Sequence, residues 1–185
     1  MILAAGRGTR MGALTDSQPK PLLMVAGKPL IERLIEQLAA VGFTELVINT
    51  AGQGQKIRDY LGDGSAWGVG IQYSDEGPLP LGTAAGVRLA LPLLGEQPFL
   101  LINSDVAADI DFATLASTQL SAQTAHLLLV DNPDHNPDGD FGLVDGRLVI
   151  AASKRLTYAG CGVFQPAMIR ESTEADLGPL IRAAL

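Results

Sequence analysis

Within the first twenty-one residues, Leu3-Ala4-Ala5-Gly6-Arg7-Gly8-Thr9-Arg10-Met11 is followed by Pro19-Lys20-Pro21. Gly6 and Gly8 can adopt positive φ and let backbone N–H groups come close to an anion. Arg7 and Arg10 offer planar guanidinium forks that match phosphate oxygens. Lys20 adds a compact charge on a backbone stiffened by a proline on each side. Together these residues read as a site for a polyphosphate. An ordinary Gly-rich strand-to-loop turn with surface arginines is the plainer account of the same residues.

A second feature lies far along the chain. Asn103-Ser104-Asp105 closes the apolar run Phe99-Leu100-Leu101-Ile102. A carboxylate at the end of a buried strand is a hard oxygen ligand suited to a divalent cation that bridges phosphates. The alternative is a solvated aspartate capping the next turn, and that is the reading for Asp109 and Asp111. The Gly/Pro stretch from Ser74 to Ala84 can present backbone groups to the edge of a base. Cys161 sits between two glycines with no histidine close in sequence, which favours a buried filler over a nucleophile. His126 reads as structural, His135 as a solvated loop residue, and Trp67 as packed under a loop.

These residues need a scaffold that brings them together. Apolar runs predict strands over residues 2–5, 46–49, 69–73, 99–103, 125–130 and 158–164, and a hairpin over 143–150 around Asp145-Gly146. Helical spacing predicts helices over 29–41, 53–61, 83–94, 112–120 and 176–185, with Pro29 opening the first, Gly42 closing it, and Thr83 capping the third. Strand and helix alternate through most of the chain. The expected fold is therefore α/β, a Rossmann-like, mixed but mostly parallel sheet with helices on both faces. Ligands of such sheets sit outside the carboxyl ends of the strands. The glycine loop and Asp105 both fall there.

At 185 residues, the chain suits one domain over 1–185. Its 47% hydrophobic and 18% charged residues exclude a disordered protein. The formal net charge of −7 argues against nucleic acid as a partner, so nucleotide binding has to be local. One cysteine rules out an internal disulfide or a cysteine-rich metal site. No apolar stretch long enough to span a membrane and no secretion signal are visible, so a cytoplasmic monomer or homodimer is expected.

The opening block resembles the signature of the sugar-1-phosphate nucleotidyltransferases, L-A-A-G-x-G-T-R-M/L followed by P-K-P. Later stretches are similar to the same family: Glu76 to Ala84 to its E-x-x-L-G/E-T-A-G segment, Phe141-Gly142-Leu143-Val144 to its Y/F-G-V-V strand, and Ala159 to Phe164 to its S/A-G-I/C-x-V-F/Y strand. The resemblance implies the nucleotide-diphospho-sugar transferase fold and transfer of a nucleotidyl group from a nucleoside triphosphate to a sugar 1-phosphate, with Mg²⁺ as cofactor. Carried over residue by residue, it makes Arg10, Lys20 and Asp105 catalytic and Asp105 the metal ligand. Ala4, Ala5, Gly6, Arg7, Gly8, Thr9, Gly82 and Thr83 become nucleotide-binding, and Glu76, Asn103 and Gly142 sugar-binding.

Residues 47–50, 61–65, 90–95 and 126–133 are most similar to family members that join UTP to N-acetylmuramate 1-phosphate in the recycling of peptidoglycan sugars. Gly82 and Ala85 depart from that subgroup, which uses glutamate and glycine there, and the L-G-T-A form is familiar from guanylyl-type relatives. Mannose-1-phosphate guanylyl transfer and glucose-1-phosphate thymidylyl or uridylyl transfer therefore stay open, as does a non-catalytic nucleotide or sugar-phosphate binding module. The family continues to a W-x-D-V-G-T-type segment with a second metal ligand, and this chain is expected to lack it. A dinucleotide-binding oxidoreductase is disfavoured, because no third glycine follows on the required spacing.

Overall fold

The computed structural model describes residues 1–121 and 124–185, with the backbone alone at Arg10. In chain order the elements are β1 (Ile2–Leu3), the small hairpin β2 (Met24–Val25) and β3 (Lys28–Pro29), α1 (Leu30–Ala40), β4 (Glu45–Thr50), α2 (Gly54–Leu61) and β5 (Gly70–Asp75). Then follow α3 (Thr83–Leu94), β6 (Phe99–Asn103), α4 (Phe112–Ala116), β7 (Ala125–Val130), the hairpin β8 (Gly142–Val144) and β9 (Arg147–Val149), β10 (Thr157–Phe164), α5 (Pro166–Arg170) and α6 (Leu177–Ala183).

Six strands pair in the order β5-β4-β1-β6-β10-β7. β1 runs parallel to β4 and β6, β4 parallel to β5, and β10 antiparallel to β6 and β7. Alternation along the strands gives each face its own core. Leu46, Ile48, Leu100, Ile102, Cys161 and Val163 face Ile31, Leu34, Ile35 and Leu38 of α1, Ile57 of α2 and Phe112 of α4. Val47, Phe99, Leu101 and Phe164 face Ala84, Val87 and Leu91 of α3, Ile169 of α5 and Leu180 of α6. The α/β architecture with a mostly parallel sheet is thus as the sequence predicts.

Several local expectations are corrected. The first strand ends at Leu3 and not at residue 5, because the Ala4 N–H leaves the ladder and donates to Asn49 Oδ1 at 2.8 Å. The fourth predicted helix stops at Ala116, where the Ser117 and Thr118 hydroxyls both donate back to the Thr114 carbonyl and compete with further winding. Thr83 is the first residue of α3 and not its cap; its hydroxyl instead accepts the Leu177 N–H at 2.8 Å and so caps α6. The β2–β3 hairpin and α5 were not anticipated. Among the described residues, no helix is long and apolar enough to cross a membrane.

Candidate active site

The chain leaves β1 toward β4 and β5 on one side, then returns across β1 to β6 on the other. The carboxyl ends of β1 and β6 therefore flank the switch point of the sheet, where ligands of α/β folds bind. Leu3 ends β1 paired with Asn49 on β4 and Asn103 on β6.

Asn49 is 3% exposed. Besides accepting from Ala4, it donates through Nδ2 to Glu76 Oε1 at 2.5 Å, and Glu76 Oε2 accepts the Leu81 N–H at 2.8 Å. The relay ties the exit of β1 to the loop before α3. A Cβ at residue 86 would collide with the Glu76 carboxylate, so glycine there lets α3 close on it. Glu76, expected to touch sugar, is buried with both oxygens engaged inside the protein. Gly82 and Thr83, expected to touch nucleotide, pack on the opposite chain end. The Thr83 N–H donates to Asp176 Oδ1 at 3.0 Å, and a Cβ at residue 82 would lie 2.6 Å from the Ala175 carbonyl.

Ala4, Ala5, Gly6, Arg7 and Thr9 line a cavity of about 450 Å³ whose other walls include Ala51, Gly52, Gln53, Pro78, Leu79 and Pro80. Arg7 is exposed, and among the described residues its guanidinium forms no ion pair. The two loop glycines differ. Gly8 has φ 63°, and a Cβ on it would sit 3.0 Å from Thr15 Cγ2 and 3.1 Å from Lys20 Cβ, so glycine is needed to fold the loop back onto Lys20. Gly6 does not use positive φ, and a Cβ there meets no atom within 4 Å; it would project into open space. Gly6→Ala is therefore expected to keep the wild-type melting temperature and to weaken nucleotide binding about tenfold, read by calorimetry with a non-hydrolysable triphosphate. Unchanged binding would show that no ligand atom approaches this backbone.

Lys20 follows Pro19 at the start of a short 3-10 turn, and its Nζ forms an ion pair with Asp105 Oδ2, eighty-five residues later. Two of the three residues expected to be catalytic thus meet beside the glycine loop. The third, Arg10, lies on the same loop, and its side chain falls outside the described residues. Asp105 Oδ1 carries no hydrogen bond among the described residues. Among the described residues no group of three or more His, Cys, Asp or Glu side chains is placed to hold a metal ion, and the carboxylate beside the glycine loop is that of Asp105. That suits an ion held jointly with substrate phosphates and not an all-protein cage. Asp111 is engaged as the N-cap of α4, accepting the Thr114 N–H at 3.0 Å, and Asp109 is exposed.

Asn103, at the end of β6, lies against Gly160 of β10; the positive φ of 71° at Gly160 and its missing Cβ leave room for the amide. Gly142, also expected to touch sugar, is buried in its own hairpin, where a Cβ would collide with Val149 of β9 and with Ala152 just beyond it. Cys161 is fully buried, and burial pushes its thiol up to about 11, which fits a core residue and not a nucleophile. Trp67 packs at the edge of the core, and His126 and His135 are exposed. Missed from the sequence were Asn49, Thr15, Gln53 and Lys56. Asn49 alone left a signal, as a polar residue inside an apolar strand run.

A family model described as nucleotidyl transferase matches residues 1–153. The chain is 51% identical over 194 aligned residues, covering 100% of this chain and 84% of the relative, to N-acetylmuramate alpha-1-phosphate uridylyltransferase of Neisseria meningitidis serogroup B. It is 34% identical over 136 residues to mannose-1-phosphate guanylyltransferase of Mycobacterium tuberculosis, covering 72% of this chain and 38% of that one. In fold, it is similar to a Bacillus anthracis crystal structure described as a glucose-1-phosphate thymidylyltransferase in complex with sucrose. That match has a TM-score of 0.81 at 22% identity and covers 100% of this chain and 77% of the other.

Proposed function

Because this chain belongs to the nucleotidyl transferase family and is a sugar-1-phosphate nucleotidyltransferase, we propose that its donor is UTP and its acceptor N-acetylmuramate 1-phosphate. The products are then UDP-N-acetylmuramate and pyrophosphate. A phosphate oxygen of the acceptor forms a bond to the α-phosphorus of UTP as the bond to the pyrophosphate oxygen breaks. A phosphate acceptor is already ionised near neutral pH, so the site needs no general base, and positioning and charge stabilisation supply the rate.

In this reading Gly6 and Gly8 admit the triphosphate, with Ala4, Ala5 and Thr9 beside them. Arg10, aided by Arg7, holds the departing pyrophosphate. Lys20 neutralises charge between the α-phosphate and the acceptor phosphate. Asp105 would hold Mg²⁺, which supplies charge neutralisation at the phosphates when bound. Asn103 and Gly142 are assigned to the sugar of the acceptor. Glu76, Gly82 and Thr83 support the site through the contacts described above. The protein is proposed to act as one domain, monomeric or homodimeric, in the cytoplasm.

The choice of donor and acceptor is supported by the 51% identity to the Neisseria meningitidis relative over the whole chain, and the phosphoryl chemistry by the pairing of Lys20 and Asp105 beside a glycine loop that lines a cavity at the switch point of the sheet. The test is pyrophosphate release from four nucleoside triphosphates against N-acetylmuramate, N-acetylglucosamine, mannose and glucose 1-phosphates. UTP with N-acetylmuramate 1-phosphate is expected to give the highest kcat/KM. Preference for GTP with mannose 1-phosphate would move the protein to the guanylyl class. Binding of UTP without pyrophosphate release from any pair would make it a binding module.

A further inference from the structure

The loop that carries the arginines is held from outside. Between Thr9 and Thr15 its backbone makes 3-10 turns kinked at Gly12 (φ 56°, ψ −136°), a geometry with poor hydrogen bonds. Thr15 is 6% exposed and donates its hydroxyl within the loop, to Gly8 O at 3.2 Å and Gly12 O at 3.1 Å. Among the described residues, the Arg10 side chain aside, the hydrogen bonds tying residues 8–17 to the rest of the protein come from Gln53 and Lys56.

Gln53 Nε2 donates to Thr15 O at 3.1 Å, and Lys56 Nζ donates to Ser17 O at 2.6 Å. Lys56 also donates to Gln53 Oε1 at 3.1 Å, so the two side chains steady each other. Lys56 forms no ion pair among the described residues; its ammonium is directed at a backbone carbonyl, a charge-assisted bond stronger than a neutral one. The support itself is rigid. A Cβ at residue 54 would come within 2.6 Å of Thr50 Cβ, so α2 starts in tight contact with the end of β4. One turn on, Arg58 donates to Thr50 Oγ1 at 2.9 Å and pairs with Asp75 at 2.8 Å.

We propose that Gln53 and Lys56 are positioning residues that hold the arginine loop in the shape that receives the pyrophosphate end of a nucleoside triphosphate. The effect on nucleotide affinity rests on the nucleotidyl-transfer reading; the effect on loop order does not. A ligand whose site is only fractionally formed binds more weakly by that fraction. Releasing the loop therefore raises the donor KM without altering the acceptor's contacts.

The experiment is hydrogen exchange on the unliganded full chain, with steady-state kinetics on the same proteins: wild type, Lys56→Met, Lys56→Arg and Gln53→Ala. Lys56→Met is expected to speed exchange over residues 9–17 about tenfold, with α2 and the sheet unchanged. It is expected to raise the donor KM about tenfold, with kcat and the acceptor KM within about twofold. Gln53→Ala is expected to move both in the same direction, and Lys56→Arg to restore both. Unchanged exchange over 9–17, exchange raised equally across α2 and the sheet, or an unchanged donor KM would each overturn the proposal. If the wild type turns over no nucleotide, the functional reading falls while exchange still decides the positioning role.

Discussion

Asp105→Ala is expected to lower turnover at least a hundredfold while the melting temperature moves by no more than about 3 °C. The two halves of this result have separate causes. The Lys20 and Asp105 side chains are 28% and 33% exposed, so water still reaches their ion pair, which contributes on the order of 1 kcal/mol to folding. Its removal leaves no buried charge behind. Turnover is different, because the proposed role of Asp105 is to fix positive charge against phosphates whose charge is redistributing in the transition state. Losing one preorganised electrostatic contact of that kind costs about 3 kcal/mol, on the order of a hundredfold in rate. Asp105→Asn keeps the volume and hydrogen-bonding reach while losing the charge, and is expected to be nearly as inactive. Pyrophosphate release at saturating Mg²⁺ and scanning calorimetry read the two quantities. Activity within tenfold of wild type in both variants would remove Asp105 from the reaction.

The sheet was legible because its strands are buried on both faces and so read as continuous apolar runs, as in Leu46-Val47-Ile48 and Phe99-Leu100-Leu101-Ile102. The place of the site was legible for a related reason. Glycines and charged residues directly after such runs fall at strand carboxyl ends, and a parallel sheet collects those ends on one edge. What stayed hidden depends on tertiary contacts. Nothing local to Glu76 says that both its oxygens meet Asn49 and Leu81, and nothing local to Thr83 says that its hydroxyl caps α6. Gln53 and Lys56 read as an ordinary polar helix start; the role proposed for them comes from their hydrogen bonds to the arginine loop. The short β1 shows the same limit. Its pattern continues through Ala5, but one side chain from β4 captures the Ala4 amide and ends the ladder.

Lys20→Ala tests the site from the other side, and two of its expected effects have opposite signs. In the free protein the Lys20 ammonium lies against Asp105 Oδ2, on the carboxylate proposed to hold the metal ion. Removing the ammonium takes away both a competitor and a repelling charge, so Mn²⁺ binding to the nucleotide-free protein is expected to tighten several-fold in Lys20→Ala. Turnover is expected to fall at least a hundredfold, because the preorganised charge proposed to sit between donor and acceptor phosphates is lost. Alanine preserves the Lys20 Cβ that lies near Gly8 and removes the rest of the stem together with its charge. Lys20→Arg would put a planar fork where a point charge sits and is expected to recover little of the rate. Mn²⁺ titration followed by electron paramagnetic resonance measures the first effect, and pyrophosphate release the second. Tighter metal binding with full activity would make Lys20 a guard of the resting site and no part of the reaction. Loss of both metal binding and activity would mean that Lys20 helps to build the metal site instead of competing for it.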